Sequence, residues 1–95
     1  MTDLLTDARR GELAAEVLAN EVYQDAYARL ETEITKTWRD AKDVETRERL
    51  HLMLGLLSKV RKVFDATVTS GKVASKALEM EQSRLQRFGR ALTGH

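Results

Sequence analysis

The stretch Asp65 to Lys76, DATVTSGKVASK, sets Gly71 beside Lys72 in a polar segment that follows a long apolar run. Gly-Lys is the pair on which phosphate-binding loops are built, so nucleotide binding is the first chemistry to weigh. A Walker-type loop reads G-x-x-x-x-G-K-[ST] between a strand and a helix. Here Ala66 stands where the first glycine belongs, Val73 stands where the hydroxyl belongs, and the preceding segment reads as helix. The expectation is that Gly71 ends a helix by adopting positive φ, with Lys72 near the negative end of the helix dipole. Nucleotide hydrolysis needs converging amides, a held lysine, and a hydroxyl and carboxylate for magnesium. Lys72 alone supplies none of the rest, so the chain is expected neither to bind nor to hydrolyse ATP.

Other chemistry is sparse. His51 and His95 are the only histidines and cysteine is absent, so there is no thiolate site and no disulfide. Glu45 with Glu48, or Glu79 with Glu81, sit at spacings where acids on a helix are solvated or paired with arginine. No metal, no cofactor and no catalytic residue is expected. Tyr23, Tyr27 and Trp38 have the residue types of a base-stacking platform, but their spacing coincides with the apolar face of a helix, which makes them core. Arg84, Arg87 and Arg90 follow at intervals of three, with Lys72 and Lys76 upstream. This basic ridge reads either as a contact to nucleic-acid phosphates or to an acidic partner, or as a solvated helix end.

The elements that carry these residues are helical. Proline is absent and strong helix formers fill long stretches. A short first helix carries Leu13, Val17 and Leu18, and Asn20 marks a bend. Tyr23, Tyr27, Leu30, Ile34 and Trp38 then recur three or four residues apart in a helix ending near Asp40. Asp40 and Asp43 are both good caps for the next helix, and a short connection makes antiparallel neighbours. On that third helix, at 100° per residue, Leu50, Leu52, Met53, Leu54, Leu56, Leu57, Val60, Val63 and Phe64 fill an arc of roughly 200°. One partner helix covers a stripe of about 100°, so either a fourth helix from Lys72 onward or another subunit must cover the rest. The expected fold is all-α: a short N-terminal helix over 1–20, an antiparallel helical hairpin over 21–70, and a basic C-terminal helix and tail over 71–95. Leu52, Leu56, Val60 and Val63 are the expected oligomer contacts.

Composition agrees with self-association. A 95-residue chain with 42% hydrophobic and 33% charged residues buries roughly 60% of its unfolded surface and lacks any cysteine staple. Charge is uneven: residues 1–48 hold 7 Lys/Arg against 12 Asp/Glu, and residues 49–95 hold 9 against 3, giving −5 and +6 and the net +1. Opposite-sign halves attract within a fold or between copies. The charged N-terminus and short apolar runs point to a soluble, cytoplasmic chain with no membrane contact.

RRGELAAEVLANEVYQDAYARLETEITKTW, followed by RERLHLMLGLLSKVRKVFDATVTSGKVA, resembles short helical proteins of tailed phages and related particles. In that pattern Arg-Gly opens the first helix and Gly-Lys closes the hairpin; it covers residues 10 to 74. The architecture is similar to the helical-hairpin oligomerisation core of small terminase subunits. That resemblance implies a ring-forming, non-enzymatic DNA-packaging component in the host cytoplasm that engages double-stranded DNA and the ATP-driven motor. Such subunits commonly carry an N-terminal helix-turn-helix domain, and residues 1–20 are too short and too acidic to make one. The alternative is a small phage-encoded regulator, an inhibitor or adaptor that binds a host or phage protein through the same apolar face.

Overall fold

A computed structural model of the chain describes residues 3–92; the remaining terminal residues, His95 among them, lie outside the described residues. The described chain is all-α, as expected: α1 spans Leu4–Ala19, α2 spans Glu21–Asp40 and α3 spans Val44–Leu92. The molecule is a rod of 78 × 26 × 15 Å. Among the described residues no helix is long and apolar enough to cross a membrane.

Polar residues set the helix ends. The Asp3 carboxylate accepts from the Leu5 amide at 3.3 Å to start α1. Asn20 serves two helices at once: extended at φ −71° and ψ 125°, it donates its amide to the Val17 carbonyl, and its side chain accepts from the Tyr23 amide at 3.0 Å. Gln24 Nε2 reaches back across this break to the Leu18 carbonyl at 2.8 Å. Asp43 starts α3, accepting at Oδ2 from the Thr46 amide (3.0 Å) and hydroxyl (2.8 Å). From the first turn of α3, Arg47 donates to the Trp38 and Ala41 carbonyls at 3.2 and 3.1 Å. Its guanidinium also lies 4.3 Å above the Trp38 ring, tying the chain reversal together.

Gly71 does not end a helix. It lies inside α3, which runs unbroken for 49 residues, so the described residues form no separate C-terminal helix, and Gly-Lys closes nothing. One local and one tertiary feature make this possible. The TVTS segment stays helical with the Thr67 and Thr69 hydroxyls bonded to the Val63 and Asp65 carbonyls one turn back, at 2.8 and 3.0 Å. Gly71 is buried against Gly11, which lies mid-way along α1 instead of opening it. A Cβ built on Gly11 would stand 2.6 Å from Gly71 Cα, so these two backbones touch. Ala14 and Ala74, buried at 5% and 2% exposure, complete the close crossing.

α1 and α2 together lie antiparallel along α3: Gly11 opposes Gly71, the Tyr27 hydroxyl donates to the Leu57 carbonyl at 3.3 Å, and Arg47 meets Trp38. From Gly11 to Tyr27 is sixteen residues, while from Gly71 back to Leu57 is fourteen. The helix break at Asn20 lies between these two contacts. The α3 side of the seam runs Leu50, Leu54, Leu57, Arg61, Phe64, Val68, Gly71, Ser75 and Leu78, alternating steps of four and three as in a coiled coil. Arg61 fills its place by setting its guanidinium 5.1 Å from the Tyr27 ring centroid.

Candidate functional site

The wide apolar arc of α3 divides in two. Leu50, Leu54, Leu57 and Phe64 turn into the seam and are half-buried. Leu52, Leu56, Val60 and Val63 stay outside it at 67, 64, 49 and 61% exposure, with Met53 at 48% beside them. Of the two covers the sequence allows for this stripe, the fourth helix drops out, because the segment after Gly71 continues α3 along the same axis and cannot fold back over it.

The aromatic residues sit where the helical spacing puts them. Tyr27 is buried; Tyr23 lies edge-on to Phe64, with ring centroids 5.7 Å apart and planes at 67°, and 6.2 Å from Tyr27. These rings form the centre of the α2–α3 seam and present no open stacking face. The Tyr23 hydroxyl is enclosed there and finds no hydrogen-bond partner among the described residues.

The basic residues fall into two places. Lys72 and Lys76 line a shallow groove between α1 and α3 in which Glu12 and Glu79 also stand. Arg84, Arg87 and Arg90 lie beyond the end of α1. If Gly11 opposes Gly71, then Leu4 opposes Leu78, and every described residue from Glu79 to Leu92 is exposed. This single-helix arm is about 20 Å long. It carries Arg84 and Arg87 with Leu85 and Phe88, both 62% exposed. Gly71 and Lys72 sit within regular helix, where the backbone amide is committed to the helix ladder.

Among the described residues no group of three or more His, Cys, Asp or Glu converges to hold a metal ion. His51 is exposed on α3. The ion pairs Arg9–Glu12 at 3.0 Å and Arg49–Glu45 at 2.8 Å are local and exposed, and contribute little to stability. The Asp43 carboxyl is held below its ordinary pKa. The Thr46 amide is the largest cause and the Thr46 hydroxyl the next, both bonding to the charged form.

Sequence reasoning missed two features. Val22 is 76% and Leu30 48% exposed on α2, where they line a groove with Ala26, Asp25, Arg29 and Glu33. The Gly11–Gly71 contact was also missed, although the matching GELA at 11–14 and GKVA at 71–74 is a visible sign of it. In comparison with known proteins, no family model matches the chain, and no curated protein and no solved structure matches it either.

Proposed function

We propose that this chain is a non-enzymatic, self-associating helical module whose hairpin is an assembly core and whose basic arm engages nucleic-acid phosphates or an acidic protein. The observation that carries the reading is the exposed stripe of Leu52, Leu56, Val60 and Val63. Four large aliphatic side chains in line on one helix, with no other segment of the described chain able to reach them, are what a subunit contact requires. The resemblance to phage helical proteins gives the biological setting: a small-terminase-like packaging component in the host cytoplasm, acting beside a motor that supplies the ATP chemistry. The chain itself has no catalytic role in this account and takes no cofactor.

The arm supports the second half of the reading. An exposed helical arm of about four turns with arginines at three-residue intervals presents few phosphate contacts per chain, so binding to duplex DNA is weak and sequence-tolerant, and multiplies only in an assembly. The test replaces Leu52 and Leu56 by glutamate. The reading expects the double variant to keep its helix content by circular dichroism and to lose both its assembled mass and its duplex binding at low salt. An unchanged mass for a well-folded double variant would overturn it.

A further inference from the structure

The exposed stripe of α3 is half of a larger surface. A residue one position before a seam residue lies about 100° back around its own helix. Because the two arms run in opposite directions, 100° back on each brings both to the same side of the pair. The grooves flanking the Gly11–Gly71 crossing bear this out. One joins Arg10 to Val63, Thr67 and Ser70, all of which precede seam residues; the other joins Glu12 and Ala15 to Lys72 and Lys76, all of which follow them.

The same rule sorts the α2–α3 half of the rod. Met53, Leu56, Val60 and Val63 each precede a seam residue on α3, and Val22 and Ala26 do so on α2. The residues that follow seam positions there are mostly polar, including His51, Ser58, Lys62 and Asp65 on α3 and Gln24 on α2. One side of the helix pair is therefore apolar across both helices, and the other is wet.

We infer that this two-helix side is closed by the same side of a second copy, the two copies lying parallel, with α3 of each packed on α2 of the other in a four-helix bundle. Charge selects this arrangement. α2 carries Glu21, Asp25, Glu31, Glu33 and Asp40 against Arg29, Lys36 and Arg39, a balance of −2; α3 from 44 to 64 carries five Lys/Arg against Glu45 and Glu48, a balance of +3. Setting α3 on α3 would oppose like charges, whereas α3 on α2 opposes unlike ones. With both chain reversals at the same end, Arg49 of one copy stands within about 5 Å in height of Glu33 of the other. Arg49 precedes the seam residue Leu50, and Glu33 lines the α2 groove that holds Val22 and Ala26, so both border the apolar side. Arg29 borders it too, level with the uncharged Met53–Leu56 segment.

This inference rests on the self-associating reading, and two measurements separate their fates. The first is the light-scattering mass of wild type beside Val22→Glu/Ala26→Glu, a pair outside the α3 stripe. An assembled wild type with a single-chain, fully helical variant is the expected result. An assembled wild type whose mass the variant retains overturns the two-helix surface and leaves the α3 contact standing; a wild type that is single-chain overturns both. The second uses the absence of native cysteine: a nitroxide on Lys42→Cys at the chain reversal, in an otherwise unchanged sequence. Parallel copies bring the two labels within about 25 Å. Antiparallel copies centred on the same surface hold them about 50 Å apart, and that distance would reject the arrangement even if the glutamate variant fails to fold.

Discussion

A Cβ placed on Gly71 would lie 2.5 Å from Gly11 Cα, closer than any methyl can approach a backbone carbon. The two glycines are thus held by each other. Both sit inside helices, where glycine costs about 1 kcal/mol relative to alanine, and the close approach of the helices is what offsets that cost.

The contrast within α3 gives the first prediction. Gly55 and Gly89 have nothing within 4 Å of a built Cβ, so alanine there should stabilise by about 0.5–1 kcal/mol through helix propensity alone. Gly71→Ala must push two backbones apart and should destabilise by about 1–3 kcal/mol in spite of the same propensity gain. Urea unfolding of Gly55→Ala and Gly71→Ala should show midpoint shifts of opposite sign; equal shifts would mean that the helices do not cross at Gly11.

The aromatic seam gives a second pair with opposite signs. Tyr23→Phe removes a buried hydroxyl that has no partner, so stability should hold or rise by about 1 kcal/mol. Tyr27→Phe removes the bond to the Leu57 carbonyl and should lower it by a similar amount. Thermal melts of the two variants side by side are sufficient, and a destabilised Tyr23→Phe would show that its hydroxyl is bonded.

Asp43 sets a pH dependence. Its carboxyl is held below the ordinary value by Thr46, so the folded state favours the charged form. Its contribution is full above the unfolded pKa, about 3.9, and is lost as pH falls through the lower folded value. Asp43→Asn keeps an acceptor at the cap but does not titrate, so the loss of stability below about pH 4 should be shallower in the variant. Superimposable acid limbs for variant and wild type would remove Asp43 from the account.

Most of the elements were legible in the sequence. Asn20, Asp43 and the Tyr23-to-Trp38 repeat mark the helix boundaries because caps and periodicity are local, and the structure places them where that chemistry points. Gly71 was misread for an equally physical reason. A glycine after threonines signals a helix end when judged by local propensity, and only the presence of Gly11 sixty residues earlier turns it into a contact. That distinction is tertiary, and no single window contains it. The α2 half of the apolar side was hidden likewise, since Val22 and Ala26 join Val60 only once the register across Asn20 is known.

The arm is tested by charge removal. Changing Arg84, Arg87 and Arg90 to glutamine should weaken duplex binding without altering helix content, and should reduce the slope of log K against log salt by about 2–3. Undiminished binding would move the contact to other lysines and arginines of the rod.

The central claim is that the apolar side of the rod is an interface between copies. Its most direct measurement is the mass of the wild-type protein by light scattering across micromolar concentrations. A multiple of the 10.8 kDa chain that persists on dilution through that range is the expected result. A mass of one chain throughout would contradict it.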